Sequence, residues 1–176
     1  MKQLHWNNNW QQTELEFINL LHDTGRGNGK LVTDLEEQYK DIDVLINNKW
    51  TVSVKDQGNI SGWNTLMFEY LQINTDSNNY MEGSVLSCEA DYYAIHYTLG
   101  KNKYFTVIKS DVLKTKLLNS SYPSKTLTEA NKAKNKALGR VYNNTLCWVV
   151  PVDDLKALEG SLTFTKSTFK RQWQLL

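Results

Sequence analysis

Two cysteines and three histidines are all the soft metal ligands that 176 residues offer. Cys88 and Cys147 are far apart, no CxxC pair exists, and His5, His22 and His96 are scattered. A structural zinc site needs about four such ligands close together, so the zinc-stapled classes are excluded. Both cysteines sit among apolar residues, which predicts buried free thiols. Long apolar runs are missing too, since none reaches the roughly 18 residues of a membrane span. The stretch MKQLHWNNNWQQ has no apolar segment of the secretory kind. These absences predict a soluble, cytoplasmic chain with no membrane partner.

What is present is ordinary for a globular protein: 40% hydrophobic and 22% charged residues. The length predicts one domain over 1–176 with a real core. The net charge of +1 hides an asymmetry. Residues 1–90 carry six Lys/Arg against thirteen Asp/Glu, and residues 91–176 carry fourteen against six. A basic half could face a polyanion. The plainer alternative is two solvated faces of one domain.

Along the chain, TELEFINLLH at 13–22 has a helical apolar face, and Thr13 with Glu16 reads as a capping box. GRGNG at 25–29 lacks phosphate-loop spacing and follows a helix, so it reads as a turn. LVTDLEEQYK at 31–40 suits either a helical turn or an extended approach. Strands are predicted over 41–47 and 50–56, joined by Asn47-Asn48 as a hairpin. On the second, Thr51, Ser53 and Lys55 share one face, so Asp56 points to the other. A third strand is predicted over 65–73, a short helix over 83–90, and strands over 92–99 and 104–109. Asp111 is placed to cap a helix at 112–119. A basic run at 124–140, a strand at 144–152, a short helix at 152–158 and an aromatic, basic tail follow.

Asp43, Lys55 and Glu69 are the residues that suggest a reaction. Carboxylates hold a hard cation, and the cation acidifies water. A lysine beside them holds that water or a phosphate oxygen as a point charge. No catalytic histidine is needed, which suits scattered histidines. Glu69 lies in an otherwise apolar strand, where a carboxylate costs energy unless it is paired, hydrogen-bonded or on a metal.

The succession helix, strand, strand, strand, helix, strand, with Asp43 in DIDVLI and Ser53-Val54-Lys55 on the next strand, resembles the PD-(D/E)XK nuclease superfamily. The stretch VKDQ…GWNTLMFEY also looks like small phage and prophage nuclease-like proteins. The resemblance implies an α/β (α+β) architecture, a central mixed β-sheet flanked by helices with a restriction-endonuclease-like αβββαβ core. That core would cover about 13–110, with a basic C-terminal elaboration at 111–176. It implies hydrolysis of DNA phosphodiester bonds with Mg2+ or Mn2+, and allows a homodimer. Asp43, Lys55 and Glu69 would be catalytic, and Asp43 and Glu69 would bind the metal, with Asp41 or Asp56 as alternatives to Asp43. Trp63 would stack on bases, and Lys132, Lys134, Lys136 and Arg140 would contact phosphates.

One position departs from the pattern. The family's second carboxylate should stand at 53, where this chain has Ser53, and Glu69 is the expected replacement. Glu14 is a further acid that relatives sometimes use from the first helix. Each residue also has a plain reading: strand-edge acids for Asp41 and Asp43, a solvent-facing Lys55, a cross-strand pair for Glu69, a turn for Asp56. Gln57, Asn59 and Asn64 suit turn stabilisation more than substrate positioning, and Asp91 suits strand entry. The competing functional reading is a non-catalytic nucleic-acid- or protein-binding module on a degenerate nuclease fold. A phage-encoded decoy has only the acidic half in its favour.

Overall fold

The first helix starts well before its apolar face predicts. In the computed structural model, which describes residues 8–74, 79–127, 143–167 and 172–176, α1 spans Asn8–Asp23. Thr13 is therefore inside the helix and is not its N-cap. Its buried hydroxyl donates to Asp56 Oδ2 at 3.5 Å, and Glu16 accepts Lys103 Nζ at 2.7 and 2.9 Å. The expected capping box is thus replaced by two tertiary ties. Phe17, Leu20 and Leu21 fall at helical spacing and are buried. Full burial of such side chains is worth roughly 1.5–3 kcal/mol each, so the three together outweigh a cap of about 1 kcal/mol.

Gly25 at φ +66° ends α1. Its N–H bonds His22 O, and Arg26 N–H bonds Leu21 O, both about one turn back. This is the Schellman arrangement, whose left-handed residue is best served by glycine. β1 (Gly29–Leu31), a strand the sequence reading did not resolve, follows. Then comes α2 (Leu35–Tyr39), capped by Asp34 Oδ1 on the N–H groups of Glu36 and Glu37.

β2 (Val44–Ile46) and β3 (Trp50–Asn59) form the expected hairpin. Asn47 and Asn48 stand at φ +51° and +52°, the left-handed pair that tight hairpins demand. β4 (Thr65–Asn74) and β5 (Asn79–Glu82) then leave this sheet. The chain returns through α3 (Ser84–Ser87) to β6 (Tyr92–Leu99), which lies parallel to β3. β7 (Asn102–Lys109) pairs antiparallel with β6, and α4 (Ser110–Asn119) follows. Asp111 falls in the first turn of α4 and bonds Val112 N–H, so it is not the cap. β8 (Ser124–Leu127), β9 (Asn143–Pro151), α5 (Val152–Lys156), β10 (Leu162–Ser167) and β11 (Gln174–Leu175) complete the order.

The architecture is mixed α+β. A seven-stranded mixed sheet runs β1-β2-β3-β6-β7-β10-β11, and a four-stranded sheet runs β5-β4-β9-β8. The predicted third strand, 65–73, is therefore a strand but not a neighbour of 50–56. β6 fills that edge of β3, and β4 pairs with β5 and β9. α1 packs on one face of the larger sheet through Phe17, Leu20, Val52, Val54, Phe105 and Phe164. The second sheet, α4 and α5 pack on the other through Leu66, Phe68, Tyr93, Ile95, Val150 and Leu155.

Gln57 fastens the sheets together. Its amide donates to Met67 O and accepts from Met67 N–H, both at 2.9 Å. This one side chain imitates a strand partner for β4, so Gln57 has a structural task. Among the described residues no helix is long and apolar enough to cross a membrane. Cys88 and Cys147 are free and buried, as predicted.

Candidate functional site

The β2–β3 hairpin delivers most of the site. Asp43 immediately precedes β2, and its carboxylate turns onto β3, where Oδ2 accepts Val54 N–H at 2.6 Å. Ser53, fully buried, donates to Asp41 Oδ2 at 3.1 Å and reaches Asp43 Oδ2 at 3.5 Å. Lys55 lies two residues on, and its Nζ donates to Asp41 Oδ1 at 2.5 Å. The serine at the expected carboxylate position thus bridges two aspartates, and the acid beside it is Asp41.

Asp41 reaches this place from a strained backbone. It follows α2 at φ +62°, with Asp41 N–H on Gln38 O and Ile42 N–H on Glu37 O. That is the same terminating motif as Gly25 makes after α1. A non-glycine residue in the left-handed region costs roughly 1–2 kcal/mol, less for Asp, whose short polar chain can bond locally. The chain places a carboxylate where glycine is the relaxed choice, and that carboxylate holds Lys55.

Glu14 completes the group from α1. It lines a cavity of about 460 Å³ together with Gln11, Gln38, Asp41, Asp43 and Lys55. Burial pushes the Glu14 carboxyl up to about 7, the charge of Asp43 adds to this, and Lys55 opposes it. Burial also holds the Asp43 carboxyl above its ordinary value, against the pull of Lys55 and Val54 N–H. Three acids around one ammonium leave an excess of negative charge in a half-buried place. Such a group gains from a cation, because charge neutralisation replaces the protons that raised carboxyls retain. The oxygen donors suit a hard ion such as Mg2+. Among the described residues, however, no three His, Cys, Asp or Glu side chains are already arranged around one point.

Glu69 is not in this cavity. It lies on β4, in the second sheet, and lines a separate cavity of about 430 Å³ whose wall shares Asp41 and Lys55. Asp43 and Glu69, expected together, thus line different cavities, because β4 left the sheet that carries Asp43. Asp56, as its strand position predicts, turns to the α1 side. Its carboxylate takes His96 Nδ1 at 2.9 Å and Gly58 N–H at 2.9 Å, and the His96 hydrogen bond holds its pKa low.

Asp91 ties strand entry by accepting Thr51 N–H and Oγ1 at 2.8 and 2.9 Å. Trp63 is 76% exposed in the loop before β4, beneath Lys125, and lines neither cavity. Lys132, Lys134, Lys136 and Arg140 lie outside the described residues.

His96 is the residue that sequence reasoning passed over. It is 6% exposed and stands between Asp56 and Glu16, whose Oε2 is 3.9 Å from its Nε2. Its one sequence signal is its place as a polar residue in the apolar run YYAIHYTL.

Comparison with protein-family models, curated proteins and solved structures finds no match for this chain.

Proposed function

We propose that the chain is a metal-dependent nuclease of the PD-(D/E)XK kind, hydrolysing DNA phosphodiester bonds. The observation that carries this reading is the convergence of Glu14, Asp41, Asp43 and Lys55 on one cavity. The element order supports it as well. With β1 taken in place of the expected strand 65–73, and with α2 between β1 and β2 and β4 and β5 inside the crossover set aside, α1, β1-β2-β3, α3 and β6 parallel to β3 follow the order that an αβββαβ core would have. Asp43 then stands at the start of the middle strand and Lys55 on the next.

Asp43 and Glu14 would hold Mg2+ or Mn2+, which when bound supplies positive charge to a phosphate oxygen and acidifies water. Both Asp43 hydrogen bonds end on Oδ2, which leaves Oδ1 for the cation. Lys55, steadied by Asp41, orients the attacking water or a phosphate oxygen. Its ammonium offsets the negative charge that grows as water adds to phosphorus and the opposite P–O bond breaks. Asp41 acts through Lys55 and is a positioning residue.

A second reading has one observation in its favour. The hydroxyl at 53 spans two aspartates, and no three-ligand group is pre-arranged among the described residues, as suits a binding module on a degenerate nuclease fold. Incubation of plasmid, linear and branched DNA with and without Mg2+ separates the two. The nuclease reading expects metal-dependent cleavage that Asp43→Asn and Lys55→Ala abolish while both variants still melt cooperatively as folded proteins. Absence of cleavage in wild type, with no rise in melting point at millimolar Mg2+ or Mn2+, would overturn the nuclease and favour the binding module.

A further inference from the structure

Lys55 and Asp41 form a partition between two cavities, and only the first is used by the proposed reaction. The second, at about 430 Å³, lies between the two sheets and falls in the size range of small-ligand pockets. Phe68, Val85, Tyr93 and Cys147 line it and are buried, and Leu127 stands at its rim. These walls are apolar and suit the π face of a flat heterocycle.

Most polar groups around this slot are already committed. The amide of Gln57 is spent on both backbone groups of Met67. The hydroxyl of Tyr93 donates to Ser84 O and Val85 O, and the Asp56 carboxylate holds His96 and Gly58. The Cys147 thiol is pushed up to about 12 by burial and then by the charge of Glu69, so it stays neutral and is not a nucleophile. Glu69 remains. Its Oε2 accepts Gln72 Nε2 at 3.2 Å, and a carboxylate has further acceptor sites for a donor in the slot. A β-bulge sets its place on β4, where the register with β9 shifts between Glu69 and Leu71.

We infer that this second cavity is a base-binding subsite, taking the nucleobase beside the phosphate held at Lys55, with Glu69 selecting bases that carry an amino group. Adenine, cytosine and guanine offer an exocyclic amino donor, whereas thymine has only its ring N3–H, flanked by two carbonyl oxygens that a carboxylate repels. The inference rests on the nuclease reading only for the phosphate at Lys55.

The test titrates dAMP, dCMP, dGMP and TMP into the full chain in millimolar Mg2+, which offsets the acids beside Lys55 and finds no phosphodiester to cut in a mononucleotide, followed by calorimetry. The amino-bearing nucleotides are expected to bind about tenfold tighter than TMP, the worth of one charge-assisted hydrogen bond. Glu69→Gln should remove that preference, and Lys55→Ala should weaken all four alike. Leu127→Glu, at an exposed rim position, should also weaken all four, which guards against a folding defect in Glu69→Gln. Equal affinity for the four, no binding at millimolar nucleotide, or a preference that survives Glu69→Gln overturns the subsite. Cleavage is read separately. DNA cleavage with an unaltered preference in Glu69→Gln leaves the nuclease and removes the subsite. A Glu69-dependent preference without cleavage keeps the subsite and removes the nuclease.

Discussion

Asp41 stands in the left-handed backbone position that Gly25 fills at the end of α1, and from there it grips the Lys55 ammonium. The two helix ends share one hydrogen-bond pattern and differ in what they contribute: one a turn, the other a turn and a charge. Asp41→Gly should therefore leave stability within about 1 kcal/mol of wild type, because relief of the left-handed side chain offsets the lost ion pair. Cleavage should fall by about 10²-fold or more, since the lysine loses its rest position. Thermal melting and cleavage rates on the same samples measure both, and a variant with full activity would remove Asp41 from the mechanism.

The raised carboxyl of Glu14 makes a pH prediction with a definite sign. Its folded value of about 7 lies above the ordinary 4.5. Between these values the folded protein retains a proton that the unfolded chain has lost, so stability falls as pH rises across that interval. Burial acts on Asp43 in the same direction. Melting temperature should drop from about pH 4.5 toward neutrality, less steeply in Glu14→Gln. Mg2+ added at pH 7 should recover part of the loss in wild type and less in the variant.

Asp56 titrates the other way. The hydrogen bond from His96 holds its carboxyl below the usual value. Its contribution is complete above the ordinary aspartate range and is lost as pH falls through the depressed folded value. Asp56→Asn should destabilise the protein at pH 7 by about 1–3 kcal/mol, because a buried imidazole loses a charged partner. It should also flatten the loss of stability in acid. Chemical denaturation at pH 7 and pH 3 compares the two proteins.

Gly83 is fixed by space rather than by dihedral angle. A Cβ there would lie 2.4 Å from both Glu69 C and Glu69 O, inside any allowed contact, and the atoms it meets are backbone. Gly83 N–H also bonds Tyr70 O at 3.0 Å, where β4 bulges. Gly83→Ala should cost about 1–3 kcal/mol by overpacking, visible as a lower urea midpoint. A midpoint equal to wild type would mean that α3 and β4 separate freely.

The sequence patterns reveal faces better than partners. Alternation in 50–56 and 65–73 correctly marks both as strands and puts Asp56 opposite Lys55. It cannot say that 65–73 pairs with 143–151, because alternation describes one strand and pairing belongs to two. β1 has only three residues, too few for any period to register. α1 begins in Asn-rich sequence with no apolar stripe, so its first turns leave no hydrophobic signal. The hairpin was legible because the Asn47-Asn48 pair states its own backbone requirement. The site split along the same line: Asp43, Lys55 and Asp41 lie within one local stretch, whereas the place of Glu69 depended on which sheet β4 would join.

Within that stretch, the two left-handed asparagines serve as a ruler for the chemistry. Strand side chains change sides at every step, so a single residue inserted at the tip would slide β3 past β2 and swing the lysine away from its acids. The spacing of the reactive group is thus written in a tip that bears none of it, and homologous chains should vary in length almost anywhere sooner than between residues 46 and 50.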